Sequence, residues 1–395
     1  MVRMRWVAAM VLLAVLAVWM VPSGGVAQDQ PVIRLGGTLA ESGKLARTAS
    51  LYVQGRSLAV DLINASGGVD VGGVPNQIEL VQFDDQSDPD LAVRLYQQLV
   101  EQENVNFLLG PYSSGLVIPT SAIAEQFNVP MVEGGGASTN IFNRGFKNVF
   151  GTLPAGQKYL ANAIKLFSES ANAKTMALIY SDDAFSTNVA EGARLQAKEF
   201  GVQIVLDEKY GDGQTEFGSL IAKLKDADPD VVMSANHLAE MLAFVPQARS
   251  LGLKSDLVFT VGTSNSDFLA LGDVAEGVFG VTPWLPTQTT SGDTFGSAVD
   301  YAKLFEARFG SVPEYHSANG SVEILIYKKA IEAAGSLDPD AVRNALANIS
   351  FDSFYGPISF GNNGQIGIAQ TVIQVQGGTT VGVLGGADPL FNVSR

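Results

Sequence analysis

Short apolar runs alternate with amphipathic segments along most of this chain, which is the pattern of strands that alternate with helices. The apolar runs are continuous in Val, Ile, Leu and Phe, as in strands buried on both faces of a parallel sheet. Pro89 and Pro339 favour the first turns of helices. We predict an α/β fold of two doubly wound parallel-sheet lobes, whose βα units meet near residues 150–156. The predicted strands span 32–37, 78–83, 106–109, 129–133, 175–180, 203–206, 231–234 and 257–260.

The stretch from Leu108 to Ser138 contains two neighbouring strands, each followed by a turn of small residues. Ligands of open α/β sheets bind beyond the carboxyl ends of the strands, where helix N-termini offer backbone N–H groups. Ser113 and Ser114 in the first turn suit a small oxyanion or a polar head group, and helix capping is their alternative role. The glycines at 134–136 in the second turn allow a ligand to approach the backbone closely. The stretch predicts a binding site for a small molecule.

The amino terminus has the layout of a bacterial secretory signal peptide. Arg3 and Arg5 precede an uncharged apolar run over residues 7–21, and small residues lead to Ala27. The run is shorter than the roughly 20 apolar residues that a transmembrane helix needs. We therefore expect cleavage of residues 1–27, release into the periplasm, and no stable membrane insertion.

Composition narrows the classes of function. The chain has 25 Lys and Arg residues against 40 Asp and Glu residues, a formal net charge of −15. An acidic chain without basic clusters argues against nucleic acid as a partner. The absence of cysteine excludes disulfides, thiolate metal sites and thiol nucleophiles. The sequence has two histidines and no GxSxG, HExxH or phosphate-loop motif, so we predict no catalytic residues, no metal and no cofactor.

Several motifs together resemble the Leu/Ile/Val-binding family, the substrate-binding proteins of branched-chain amino-acid ABC importers with the type I periplasmic binding fold. The resemblance implies two lobes joined by three chain crossings, with the ligand in the cleft between them. It places the first lobe at 31–154 and 285–362 and the second at 155–284 and 363–395. The matching pieces follow the family's order and include IRLGGTLAESG, LVQFDDQSDPDLAVRLYQQLV, LLGPYSSG, VPMVEGGGAS, ALIYSDDAFS, DVAEGVFGVTPW and YGPISFGNNGQ.

The resemblance also marks candidate ligand-binding residues on both lobes. A threonine that is usual in the second turn is replaced here by Ala137, so Ser138 or backbone N–H groups would take its part. His237 is a better pocket candidate than His316, and a helix cap at the surface is its alternative role. The candidates in the first lobe are Tyr112, Ser113, Ser114, Gly135, Gly136, Ala137 and Ser138, and those in the second are Asp182, Phe185, His237, Gly262 and Thr263.

The acid that binds the ligand's ammonium in this family has no counterpart in the segment Val261-Gly262-Thr263-Ser264-Asn265. A buried ammonium without a counter-charge would be unfavourable. Either Asp182, Asp183 or Glu133 supplies the charge, or the ligand is not an α-amino acid. We predict a monomer that captures an amino acid, amide or carboxylate by closing its lobes and delivers it to ABC permease and ATPase subunits. A periplasmic sensor that signals to a separate partner is the alternative.

Overall fold

The computed structural model describes residues 31–383. The predicted signal peptide and the last residues assigned to the second lobe therefore lie outside the described residues. The strands are β1 (Val32–Leu39), β2 (Val69–Val71), β3 (Val74–Asp84), β4 (Phe107–Leu109), β5 (Met131–Glu133), β6 (Val149–Gly151), β7 (Thr175–Ser181), β8 (Gln203–Tyr210), β9 (Val231–Ala235), β10 (Asp256–Phe259), β11 (Phe279–Thr282), β12 (Ser291–Gly292), β13 (Gly296–Ser297), β14 (Ser350–Ser353), β15 (Gly356–Ser359), β16 (Thr371–Gln376) and β17 (Thr379–Gly382).

The helices lie mainly between these strands, and short 3₁₀ turns occur at Gly156–Lys158 and Gly272–Val274. The α-helices are α1 (Ala46–Ala65), α2 (Pro89–Glu101), α3 (Ser114–Gln126), α4 (Thr139–Phe142), α5 (Ala161–Ser170), α6 (Ala184–Glu199), α7 (Gly218–Ala227), α8 (Leu238–Ser250), α9 (Ser266–Leu269), α10 (Ala298–Phe309), α11 (Tyr315–Ala334) and α12 (Pro339–Ala347).

The first large sheet has the strand order β2-β3-β1-β4-β5-β6. Its pairs from β3 through β6 are parallel, and β2 joins β3 as an antiparallel hairpin. The order reverses between β1 and β4, whose residues Leu35 and Phe107 are paired. A crevice opens at such a reversal, beyond the carboxyl ends of the strands. The turns after β4 and β5 therefore lie beside the place where this fold binds ligands.

The second large sheet has the order β17-β16-β11-β10-β9-β7-β8. Strands β7 to β11 form parallel pairs, while β16 and β17 are antiparallel. The parallel strands β9 and β10 are buried along their whole length, as their continuous apolar sequences predicted. The chain reverses its order between β7 and β9, so this sheet also offers a crevice at its carboxyl edge.

The late helices return to the first sheet. Helix α11 packs along α1 and also contacts β5. The two helices approach closely at Gly55, where a Cβ would overlap the carbonyl oxygen of Ser317. The chain thus passes between the two α/β units after β6, after β11 and before β16. These passages confirm two lobes joined by three crossings. The residue bounds assigned to each lobe stay a prediction.

Candidate functional site

Loops that follow strands of both large sheets enclose one small cavity. Turns after β4 and β5 face loops after β7, β9 and β10. The space among them is about 10 Å³, which is room for about one water molecule. The cavity wall consists of Tyr112, Ser113, Gly135, Ala137, Leu153, Tyr159, Phe185, His237, Val261 and Tyr315.

The two serines of the first turn have different positions. Ser113 precedes α3, makes no capping hydrogen bond through its side chain, and lies in the cavity wall. Ser114 is fully buried and its Oγ accepts hydrogen bonds from the N–H groups of Ala137 and Ser138, each at 3.1 Å. Ser114 therefore joins the turn after β4 to the turn after β5 instead of lining the cavity. We call these two turns the first and the second ligand turn.

We expect Ser114→Ala to weaken ligand binding about tenfold or more while the fold is retained. The substitution leaves two buried N–H groups without their acceptor, and each such group costs about 1–3 kcal/mol. The second turn should loosen as a result. Calorimetric titration with a ligand found by a thermal-shift screen would measure the effect, with the exposed Ser50→Ala as control. An unchanged dissociation constant would show that this link does not affect the site.

Asp183 and His237 form a buried pair on the side of the second sheet. Asp183 precedes α6, and its Oδ1 accepts hydrogen bonds from the N–H groups of Phe185 (2.8 Å) and Ser186 (3.0 Å). The same oxygen lies 3.5 Å from Nε2 of His237, the residue before α8. Burial alone would lower the pKa of His237, but the charge of Asp183 and its hydrogen bond outweigh burial and raise this pKa to about 9. His237 is therefore an imidazolium at neutral pH.

The charge on His237 sets the direction of a hydrogen bond across the cavity. Its Nδ1 lies 3.1 Å from Oη of Tyr112, which follows a strand of the opposite sheet. An imidazolium donates from both ring nitrogens, so Tyr112 accepts this bond and its own hydroxyl hydrogen points elsewhere. Because Tyr112 lies in the cavity wall, its hydroxyl can donate to an acceptor oxygen there.

Aromatic rings form much of the remaining wall and interlock across the two lobes. Phe185 lies 5.1 Å from Tyr159 and 5.5 Å from His237, measured between ring centroids. Tyr112 meets the ring of His237 edge-on at 5.8 Å. Such edge-to-face contacts are favourable arrangements for aromatic pairs. The cavity therefore combines an apolar aromatic lining with a few hydrogen-bond donors.

Six of the twelve predicted residues lie in the cavity wall, and the structure places the others outside it. Asp182 is on the surface, where it pairs with Lys209 at 2.9 Å. Thr263 Oγ1 faces the carbonyl oxygen of Phe279 at 3.5 Å. Within the described residues, the predicted positions in the wall are Tyr112, Ser113, Gly135, Ala137, Phe185 and His237, and those outside it are Ser114, Gly136, Ser138, Asp182, Gly262 and Thr263.

The structure adds wall residues that the sequence did not suggest. Leu153 and Tyr159 follow β6, a strand of three residues with too short an apolar run to predict. Tyr315 is the first residue of α11 and lies far along the chain from the other wall residues. Val261 lies two residues beyond the end of β10, in the segment that lacks the family's acid. The feature of the sequence that could have marked Val261 as a wall residue is its position just beyond a predicted strand.

The acids considered for an ammonium are engaged elsewhere. Glu133 is fully buried and its Oε2 accepts a hydrogen bond from the N–H of Gly136 at 2.7 Å. A further acid, Glu314, faces the very segment in which the family's acid is missing. Glu314 accepts hydrogen bonds from Asn265 Nδ2 (3.1 Å) and Ser264 Oγ (3.3 Å). Its carboxylate thus links the two lobes and lies outside the cavity wall.

Two α/β units have facing loops that close over a cavity, and the cavity wall carries hydrogen-bond donors and aromatic rings. This arrangement defines the class of two-lobed ligand-binding proteins. A family model described as "Periplasmic binding protein" matches residues 32–380. The chain belongs to the periplasmic binding protein family. It is 26% identical to the leucine-, isoleucine-, valine-, threonine- and alanine-binding protein of Pseudomonas aeruginosa, over 90% of this chain and 92% of the relative. This similarity confirms the resemblance to branched-chain amino-acid binding proteins.

Solved structures show the same fold. The branched-chain amino acid transporter substrate binding protein LivJ of Streptococcus pneumoniae, solved with isoleucine, superposes with a TM-score of 0.80 at 24% identity, over 89% of this chain and 100% of that one. A solute binding protein of an R. palustris ABC transporter, solved with benzoate, gives a TM-score of 0.81 at 21% identity, over 91% and 97%. Both proteins are named for substrate or solute binding, and their similarity to this chain shows a shared fold.

Two further properties of the described residues bear on the site. Between residues 31 and 383, histidine and acidic side chains form no group of three or more that could hold a metal ion. Over the same range, none of the helices has both the length and the apolar character needed to cross a membrane. The predicted signal peptide lies outside this range.

Proposed function

We propose that this protein captures a small organic carboxylate that carries no ammonium group, by closing its lobes over it. The observation that carries this proposal is the chemistry of the cavity wall: it contains hydroxyl and imidazolium donors and aromatic rings but, among the described residues, no carboxylate. Tyr112 and Ser113 lie at the N-terminal end of α3. That end of a helix favours negative charge.

The nearby acids support a ligand without an ammonium group. Oδ1 of Asp183 contacts His237 and two backbone amides, while Oδ2 has no hydrogen-bond partner among the described residues, and the charge of His237 balances that of Asp183. Glu314 accepts hydrogen bonds from Asn265 and Ser264. Burial raises the pKa of Glu133 well above its usual range, which disfavours the charged form that would pair with an ammonium. An ammonium in the cavity would therefore be buried without a partner, which is strongly unfavourable.

The rest of the wall favours an apolar body on the ligand. Tyr159, Phe185 and Tyr315 present rings, and Leu153 and Val261 present aliphatic groups. The rings favour a flat or branched body of modest size. The structural neighbours solved with isoleucine and with benzoate have the same fold as this chain. Because one fold accommodates both kinds of ligand, the ligand class is inferred from the chemistry of the cavity wall and not from the fold.

Capture by closure is supported by polar contacts between the lobes. Lys44, in the loop before α1, pairs with Asp212 in the loop after β8, and Arg47 of α1 pairs with Asp267 of α9. A cavity of this size admits a larger ligand only when the lobes separate. A ligand that contacts both lobes at once stabilises the closed arrangement. In the proposed function, permease and ATPase subunits receive the ligand from the closed protein in the periplasm, after cleavage of the signal peptide.

Matched ligands test the proposal. Isocaproate, isocaproamide and leucine share one aliphatic body, and benzoate and benzamide share one ring. We expect at least one acid to bind in calorimetry, its amide to bind about tenfold more weakly, and leucine to bind about a hundredfold more weakly than isocaproate. Leucine binding as tightly as isocaproate would contradict the proposal.

Uptake measurements test delivery separately. In a strain that lacks this protein, uptake of the labelled acid should fall and should return when the wild-type protein is restored. Unchanged uptake, together with tight binding in calorimetry, would instead favour the role of a sensor.

A further inference from the structure

Three ionisable side chains lie fully buried behind the two ligand turns. Arg56 of α1 donates a hydrogen bond from Nε to Oε2 of Glu323 of α11 at 2.7 Å, and their side chains are 1% and 0% exposed. Glu133, the last residue of β5, is also fully buried. We call Arg56, Glu133 and Glu323 the buried charge cluster. None of the three lies in the cavity wall.

The cluster holds the first ligand turn through Arg56. Its Nη2 donates to the carbonyl oxygen of Gly110 at 2.7 Å. Gly110 is the residue between β4 and the turn that carries Tyr112 and Ser113. Because the guanidinium is a planar fork, its bond to Glu323 fixes the direction of its bond to Gly110. Helices α1 and α11 thereby set the place where the first turn begins.

The second ligand turn is held at two points. Glu133 Oε2 accepts the N–H of Gly136 at 2.7 Å. The carbonyl oxygen of Gly134 accepts hydrogen bonds from Tyr52 of α1 and from Asn319 Nδ2 of α11, the latter at 3.2 Å. Both turns are therefore attached to the same pair of helices.

The charges of the cluster do not balance if both acids ionise. Arg56 pairs directly with Glu323, which leaves Glu133 without a cation of its own. Burial raises the pKa of Glu133 well above its usual range, and the charge of Glu323 adds to this rise, while the amides of Gly136 and Gly135 and the charge of Arg56 oppose it. Oε1 of Glu133 has no hydrogen-bond partner among the described residues. The missing cation and the burial together favour the neutral form of Glu133.

We propose that the buried charge cluster positions both ligand turns, with Glu133 acting as a neutral hydrogen-bonding acid. Its members are positioning residues, because they act on the ligand only through the backbone of the turns. Hydrogen bonds in a site shielded from water are stronger and more directional than those at a surface. This inference rests on the proposed function in one test only, the measurement of ligand affinity.

Hydrogen–deuterium exchange of backbone amides tests the positioning without a ligand. Arg56→Lys keeps the positive charge and removes the fork that reaches Gly110. We expect exchange in residues 110–114 to rise about tenfold or more, with residues 182–186 of the other lobe unchanged. A uniform rise over the whole protein would reflect lost stability alone and would overturn the inference, as would unchanged exchange in 110–114.

Two substitutions at Glu133 test its charge state. Glu133→Gln keeps the shape and the acceptor of a neutral acid, so exchange in residues 134–138 should stay within about twofold of the wild type. Glu133→Ala removes the acceptor and should raise exchange there about tenfold, with residues 110–114 unaffected. If the glutamine variant behaves like the alanine variant, Glu133 is an anion and the inference about its charge is wrong.

Affinity completes the test, with benzoate and isocaproate as the probes. Arg56→Lys and Glu133→Ala should each weaken binding of the better probe about tenfold, and Glu133→Gln should leave it within about twofold. Unchanged affinity in Arg56→Lys and Glu133→Ala would overturn the positioning role. If neither probe binds the wild-type protein, the proposed function fails, while the exchange measurements still decide the positioning of the turns.

Discussion

Gly135→Ala is expected to weaken ligand binding about a hundredfold or more. A Cβ at this position would overlap the carbonyl oxygen of Pro111 and would lie 2.8 Å from Cα of Tyr112, so the two ligand turns could not keep their present contact. Their separation would displace Tyr112 and Ser113, and a displacement of about 1 Å can reduce the effect of a positioned group about a hundredfold. Calorimetric titration with the tightest-binding acid measures the loss.

A matched control lies in the same region. Gly115 is in the first turn of α3, and a Cβ there would meet nothing within 4 Å. Gly115→Ala should therefore keep wild-type affinity and should stabilise the helix by up to about 1 kcal/mol. Near-equal affinities for Gly135→Ala and Gly115→Ala would show that close contact between the turns is not needed for binding.

Asp183→Asn is expected to make stability depend on pH in a new way. Asparagine still caps a helix well, so the substitution removes mainly the charge that faces His237. Without this charge, burial should bring the pKa of His237 from about 9 to below its ordinary value of 6.5. The rise from 6.5 to about 9 in the wild type corresponds to about 3 kcal/mol of stability.

The sign of the pH effect follows from the two pKa shifts. The raised pKa of His237 gives stability that is fully present below pH 6.5 and is lost as pH rises through about 9. Burial raises the pKa of Asp183, but the charge of His237 and the helix amides lower it by more. The contribution of Asp183 is therefore lost only as pH falls below its ordinary range.

Urea unfolding at several pH values measures the Asp183 effect. Near pH 6 the wild type should be about 3 kcal/mol more stable than Asp183→Asn, and the difference should narrow above pH 9. Nuclear magnetic resonance should show His237 titrating below pH 6.5 in the variant, with His237→Gln used to assign its signal. A difference in stability that is equal at both pH values would contradict the proposed ion pair.

Much of the fold was predictable because its elements obey local rules. The Asp-Pro pairs illustrate this: α2 begins at Pro89 and α12 at Pro339, and the preceding Asp88 and Asp338 accept hydrogen bonds from Leu91 and Ala341. Each signal is contained within four residues. The short edge strand β6 was not predicted, because three residues carry too little periodicity and its pairing with β5 comes from the whole sheet.

The candidate site was predictable only where its residues follow strands. Tyr112, Ser113, Gly135 and Ala137 lie in turns that the sequence already placed beyond β4 and β5. The sequence marked Asp182 as a ligand-binding residue and its neighbour Asp183 only as a possible counter-charge. Asp183 turns inward because it caps α6, and that geometry leaves Asp182 beside Lys209 on the surface.

The sequence by itself determined the α/β class, the alternation of the elements and the two turns from Leu108 to Ser138, because these depend on periodicity and on neighbouring residues. Only the tertiary structure decided the chemistry of the closed cavity. The charge of His237 depends on Asp183, and the hydrogen-bond direction of Tyr112 depends on His237 in the other lobe. The first ligand turn is held by Arg56, which is bonded to Glu323 at a distance of 267 positions along the chain. Such effects arise from burial and distance between residues far apart in sequence, and no local pattern encodes them.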